Sequence, residues 1–216
     1  MQIFFVRHGR STSNILQTYS GKDVELAPEF LQDLDPTRAR LQSLRFDRVF
    51  VSDYKRAIGT AKYLGFSDAE IEPRIHERNF GIFSDLTPSQ ARSQYPKEYQ
   101  AFVENPVTYG IPGGESYEDV CQRVWSFLNE LTDDEMSAST ASDGMRPKPL
   151  KEDRILLITH YNVMSAAVGW VMDSYKTIRN VISRNGSILQ IQVNGPVKAL
   201  LFPQPTFIEK ESILPQ

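Results

Sequence analysis

The stretch that decides the fold is Gln2-Ile3-Phe4-Phe5-Val6-Arg7-His8-Gly9. From Gln2 to Val6 it is a nearly unbroken apolar run of strand length that stops at Arg7, and it reads as a short buried strand. Arg48–Ser52 (RVFVS) and Arg154–Thr159 (RILLIT) have the same character. Each is followed by a stretch competent to form a helix, Lys55–Leu64 and Asn162–Met172. Strands alternating with helices and bounded by turns predict an α/β fold with a largely parallel sheet. Ser187–Val193 and Val197–Phe202, joined by Asn194-Gly195-Pro196, predict a closing β-hairpin, which makes the sheet mixed.

Between Glu77 and Asp153 the chain reads as mostly helical. Thr87-Pro88 is a capping residue followed by proline at the first helical position. Ser116 with Asp119 resembles a capping box, and Tyr117, Val120, Cys121, Val124, Leu128 and Leu131 then recur at helical spacing. Cys121 falls inside that stripe and is expected in the core, not as a reactive thiol. Thr132–Asp153 is rich in Ser, Ala, Asp, Pro and charge and has little to bury. It is expected to be a long flexible loop within a single domain spanning 1–216, and the tail after Pro203 is expected to be loose.

A chain of 216 residues is of a size for one domain. With 24 Lys+Arg against 27 Asp+Glu, it lacks the basic excess of a nucleic-acid-binding protein. Its single cysteine cannot form an internal disulfide, which fits a reducing compartment. The apolar start is far too short for the apolar region of a signal peptide, and nothing approaches the roughly 18 consecutive apolar residues of a membrane span. The expectation is a cytoplasmic protein with no membrane or nucleic-acid partner, a monomer or homodimer.

Ligands of open α/β sheets bind just outside the C-terminal ends of the strands. The first strand ends in Arg7-His8-Gly9 and the third in Ile158-Thr159-His160, so two of the three histidines fall on one rim. The second strand adds Ser52, and Arg56 follows on the first turn of the next helix. Arg7 and Arg56 bring two guanidinium forks, which match phosphate oxygens bidentately. A cationic pocket in a protein of net charge −3 points to an anionic substrate. Taken singly, a strand-end histidine is more often structural, and an arginine at a helix start is usually solvated. Four such residues on one rim are what packing alone does not explain. His76 follows no such pattern and reads as structural or surface. No His-x-x-His or Cys-x-x-Cys pair supports a metal site.

The run RHGRSTSN (Arg7–Asn14) resembles the signature of the histidine phosphatase superfamily, also called the phosphoglycerate mutase-like family. SDYKRAIGTA (Ser52–Ala61) is similar to its second motif, and IHERNFGIF (Ile75–Phe83) to the segment bearing its catalytic acid. IPGGESYEDVCQRV (Ile111–Val124) and LLITHYNV (Leu156–Val163) complete the order. The resemblance implies a three-layer α/β/α sandwich around a mostly parallel mixed sheet. It also implies phosphoryl transfer through a phosphohistidine, with a small phosphorylated substrate and no metal or other cofactor. His8 is then the nucleophile, kept unprotonated by Arg7, Arg56 and a protonated His160, and the same cations stabilise the transferring group. Glu77 gives the leaving group its proton and takes one from the attacking water. Without the motif, Glu77 reads as a loop carboxylate paired with Arg74 or Arg78.

By the same resemblance Ser11, Asn14, Ser20 and Gly21 line the substrate pocket, although Ser13 and Asn14 read equally well as helix-starting residues. The loop Pro106–Glu115, with Tyr109 and its glycines, is expected to cover the pocket. Tyr161 stands where most members carry glycine, where it either narrows the pocket or contributes a hydroxyl. Arg10 replaces a frequent Glu, Ser11 a common Thr, and Asp23–Arg40 lacks the usual Leu-Thr-x-x-Gly turn. A phosphomonoester hydrolase of small metabolites leads. A phosphoglycerate mutase-type transferase, a fructose-2,6-bisphosphatase and a non-catalytic phospho-ligand binder stand as alternatives.

Overall fold

The computed structural model describes residues 1–140, 153–178, 181 and 183–201. Its strands are β1 (Gln2–Arg7), β2 (Arg48–Val51), β3 (Glu70–Ile71), β4 (Arg154–Thr159), β5 (Ile188–Asn194) and β6 (Val197–Leu201). Its α-helices are α1 (Thr12–Leu16), α2 (Asp35–Gln42), α3 (Lys55–Leu64), α4 (Pro88–Gln94), α5 (Pro96–Glu104), α6 (Tyr117–Thr140) and α7 (Tyr161–Met172). Among these residues the strands form one sheet in the order β3-β2-β4-β1-β5-β6. The first four are parallel, and β5 and β6 are added antiparallel.

Successive side chains of a strand point to opposite faces, and the central strands are apolar on both. β1 sends Ile3 and Phe5 to one face, with Ile155 and Leu157 of β4 beside them; α6 and α7 cover these through Val120, Val124, Leu128, Val163 and Ala167. Phe4, Val6, Leu156 and Ile158 face the other way, under Leu41 of α2 and Ala57, Ala61 and Leu64 of α3. The result is the mixed sheet that the sequence predicts, within the α/β/α sandwich that the resemblance implies. Each fully buried Leu, Ile or Phe contributes about 1.5–3 kcal/mol of transfer free energy.

The helix signals act as expected. Thr87 Oγ1 accepts the Gln90 N–H at 3.2 Å and Gln90 Oε1 accepts the Thr87 N–H at 2.9 Å, with Pro88 opening α4. Asp119 Oδ2 accepts the Ser116 N–H at 2.8 Å, and Ser116 Oγ accepts that of Asp119 at 3.1 Å. Cys121 is fully buried, and burial pushes its thiol up to about 11. The hairpin turns through Gly195-Pro196 between the paired Asn194 and Val197, with Gly195 at φ 58°, a backbone glycine enters cheaply.

One boundary differs. α6 runs on to Thr140, so Thr132–Thr140 is helix and not the start of a loop. That stretch contains neither glycine nor proline, and extending a helix already nucleated by an apolar stripe is far easier than starting one. Residues 141–152 of the expected loop, Phe202 of the expected last strand and the tail after Pro203 lie outside the described residues.

Register positions the site. Arg7 pairs with Thr159, and Val51 with Ile158. Three strands therefore end together, placing His8, Ser52 and His160 side by side.

Candidate active site

His8 and His160 each follow the last residue of a strand, and their ring centroids lie 5.1 Å apart. His8 is 2% exposed. Its Nδ1 lies 2.6 Å from the Gly9 carbonyl oxygen, which can only accept, so Nδ1 carries the proton and Nε2 keeps its lone pair. The Arg56 Nε–H donates to that Nε2 at 3.3 Å, consistent with the same tautomer. Burial, then Arg56 and Arg7, hold the imidazole well below its ordinary value. His8 is thus neutral at neutral pH, the state in which a histidine is a nucleophile.

The nitrogen-bearing side chains around it are only partly satisfied. Arg56 is fully buried and its Nη1 donates to the Gly21 carbonyl at 2.7 Å. Arg7 Nη1 donates to the Ser183 carbonyl. His160 Nε2 lies 2.8 Å from Ser52 Oγ. Left over are Arg7 Nε, Arg56 Nη2 and His160 Nδ1, all buried and without a hydrogen-bond partner among the described residues. A buried polar group left unpaired costs about 1–3 kcal/mol, more when charged. Three such nitrogens around an unprotonated imidazole nitrogen match an acceptor with several oxygens.

The charge of His160 corrects one expectation. Burial first, then Arg56 and His8, keep it well below the ordinary imidazole value, so in the free protein it is neutral, not protonated. Two buried guanidiniums leave no room for a third cation without an anion. A bound anion would supply that charge and favour the protonated form.

Glu77, 6% exposed, follows the turn Pro73–Ile75. Its Oε1 accepts backbone N–H groups from Arg78 at 2.9 Å and from Asn162, in the first turn of α7, at 3.2 Å. Oε2 takes no hydrogen bond from the described residues. Neither neighbouring arginine pairs with this carboxylate. Arg74 pairs with Glu72 and Glu130. The guanidinium of Arg78 donates to the carbonyls of Glu115, Pro106 and Tyr109 at 2.9, 3.2 and 3.0 Å. A Cβ on Gly114 would come within 2.4 Å of the Asn79 carbonyl oxygen, so only glycine lets the 106–115 loop press this closely on the segment carrying Glu77.

The expected substrate-contacting residues divide. Ser11 is the N-cap of α1, and Asn14 Oδ1 accepts its backbone N–H at 3.1 Å and its hydroxyl at 3.0 Å. The helix-starting role therefore occupies Asn14 Oδ1 and leaves Nδ2 as its remaining donor. Ser20 bonds Ser13, whose hydroxyl lies 3.0 Å from that of Ser11. Gly21 acts through its carbonyl on Arg56. The Tyr161 hydroxyl donates to the Ile178 carbonyl at 2.6 Å, and its ring lies 5.6 Å from the Arg7 guanidinium. What Tyr161 offers the site is that ring, because its hydroxyl proton is committed elsewhere.

Two contributors were not foreseen. Asn185 Nδ2 donates to the carbonyls of His8 and Gly9 at 3.1 and 3.2 Å and to Asn14 Oδ1 at 3.1 Å. Ser183 supplies the carbonyl that holds Arg7. The Asn185-Gly186 pair just ahead of a strand antiparallel to the first was the available signal, since such a turn lies beside the first strand's C-terminal end.

A sequence profile described as histidine phosphatase superfamily (branch 1) matches residues 3–202. The chain belongs to that superfamily. It is 29% identical over 170 residues to a 2,3-bisphosphoglycerate-dependent phosphoglycerate mutase of Cytophaga hutchinsonii, covering 76% of this chain and 74% of the relative. It is 26% identical over 180 residues to a 6-phosphofructo-2-kinase/fructose-2,6-bisphosphatase of Gallus gallus, covering 79% of this chain but only 33% of that one. The chain thus spans about a third of that relative. The alpha-ribazole phosphatase of Shigella flexneri superposes with TM-score 0.80 at 21% identity, over 98% of this chain and 100% of that one, which establishes the shared fold. In this superfamily member no helix among the described residues is long and apolar enough to cross a membrane.

Proposed function

We propose that the protein is a phosphomonoester hydrolase of small phosphorylated metabolites that works without a metal, through a phosphohistidine at His8. What supports this is the set of three buried nitrogens, unpartnered among the described residues, around the unprotonated Nε2 of His8.

His8 Nε2 attacks phosphorus in line with the ester oxygen; the N–P bond forms as the P–O bond to the leaving alcohol breaks. Glu77, protonated for this step, gives the departing oxygen its proton. Arg7 Nε, Arg56 Nη2 and a His160 protonated at Nδ1 hold the equatorial oxygens, the main catalytic task when positioning and electrostatics dominate. Water then attacks phosphorus as the Glu77 carboxylate takes its proton. The N–P bond breaks, inorganic phosphate leaves, and the Nε2 lone pair returns.

The test is phosphate release from p-nitrophenyl phosphate in excess chelator, comparing wild type with His8→Ala. Release abolished in the variant, with an acid-labile phosphoenzyme trapped only in wild type, is expected. Equal release from both would overturn the assignment. The mutase relative favours a second reading, return of the phosphoryl group to another hydroxyl of the same metabolite. Phosphorus NMR of the products from a phosphoglycerate distinguishes them: free phosphate for a hydrolase, an isomeric ester for a mutase.

A further inference from the structure

Once the reaction is assigned to His8, Arg7, Arg56, His160 and Glu77, Tyr54 remains without a role. It is the N-cap of α3 and 6% exposed. The Arg56 guanidinium carbon lies 5.0 Å from its ring centroid. The ring of His160 meets it edge-on at 5.3 Å, and that of His76 stacks on it at 5.3 Å and 21°. The Tyr54 N–H also donates at 3.2 Å to Ser52 Oγ, the hydroxyl that bonds His160.

His76, which the sequence left as structural or surface, lies between two carboxylates without hydrogen-bonding either. Its Nδ1 lies 3.9 Å from Asp53 Oδ1 and its Nε2 lies 3.6 Å from Glu115 Oε1. Glu115 is itself fixed by Arg123 and by the Asn79 N–H. An aromatic column therefore runs from an anchored carboxylate through His76 and Tyr54 to His160.

Such a column answers a physical need. Arg56 and His160 each keep one nitrogen unpartnered for substrate, so hydrogen bonds alone do not fix those faces, and packing must. An aromatic ring gives a guanidinium an electron-rich face and gives an imidazole an edge-to-face partner. An aliphatic side chain of similar size gives neither.

We propose that Tyr54, backed by His76, is a positioning residue for phosphoryl transfer, its ring and not its hydroxyl setting the orientation of Arg56 and His160. This rests on the phosphohydrolase reading above. The charged and titratable groups around His160 and Tyr54 are Arg56, His8, His76, Arg123, Glu77, Glu115 and Asp53. Exchanging Tyr54 alone removes none of them.

The experiment compares wild type, Tyr54→Leu, Tyr54→Phe and His76→Ala as full chains. It measures kcat and KM on p-nitrophenyl phosphate across pH, and the titration of His160 by side-chain nitrogen NMR. Tyr54→Leu is expected to lower kcat by roughly 10- to 100-fold, the scale of a slightly misplaced catalytic group, with a smaller change in KM. His160 then titrates at higher pH as water reaches it. Tyr54→Phe, which keeps the ring, restores kcat to within about threefold of wild type. His76→Ala falls between the two. Wild-type kcat and His160 titration in Tyr54→Leu would overturn the proposal, as would a Tyr54→Phe loss equal to that of Tyr54→Leu. Should Tyr54→Leu not fold, an unchanged kcat and titration in His76→Ala overturns it. A wild type without turnover on any phosphoester would instead count against the hydrolase reading, and the His160 titration would still decide the column.

Discussion

Arg78 is 1% exposed and has no carboxylate partner among the described residues; its guanidinium is satisfied by three backbone carbonyls. Burial pulls it down to about 10, which still leaves it cationic at neutral pH. The guanidinium also lies 5.2 Å from the ring centroid of Phe102. Arg78→Met preserves most of the stem and deletes the three hydrogen bonds. Each buried carbonyl left unpaired costs about 1–3 kcal/mol, and water reaching some of them puts the total at about 3–5 kcal/mol. In a protein of this size Tm falls about 2–4 °C per kcal/mol, so a drop of about 6–20 °C is expected. Urea denaturation reads it as a lower midpoint with an unchanged slope. The backbone N–H of Arg78, which donates to Glu77 Oε1, survives the substitution but shifts with the loosened segment, so turnover of an alkyl phosphate falls further than turnover of p-nitrophenyl phosphate, whose leaving group needs little proton donation. A stability loss under about 1 kcal/mol would refute the assignment of Arg78 as the clamp of this loop. Equal activity losses on both substrates would sever its link to the acid.

Glu77→Gln is expected to spare p-nitrophenyl phosphate and to slow alkyl phosphates by about 10²–10⁴-fold, and equal losses on both would remove the acid role. Stability of the ligand-free protein should fall as pH drops below about 6.5. His8 and His160 have folded values depressed below the unfolded one, so the unfolded chain binds more protons in that window and stability rises with pH, by up to about 1.4 kcal/mol per pH unit for each. Thermal melts between pH 5 and 7, above the carboxylate range, check this; a His8→Asn variant with an undiminished slope would contradict it.

The centre of the sheet was legible because β1 and β4 are buried on both faces and leave continuous apolar runs, as at Phe4–Val6 and Ile155–Ile158. β3, by contrast, is two exposed residues with no pattern to detect. Four site residues were legible for a geometric reason: parallel strands in register end together, so Arg7, His8 and His160 must share a rim with the start of the helix after β2. The charge on His160 was not legible, since a sequence counts cations without counting how deeply they are buried. What escaped most completely is the work done by the main chain. Gly9 sets the His8 tautomer with its carbonyl, Gly21 and Ser183 hold the two arginines with theirs, and Arg78 and Asn162 hold Glu77 with their N–H groups. Every residue type offers a carbonyl, and all but proline an N–H, so no choice of side chain advertises these contacts. The side chains proposed to react are thus written in the sequence, while the atoms that aim them are set by where the backbone runs. Substitutions that shift the backbone at these positions should therefore impair turnover even where they keep every reacting group.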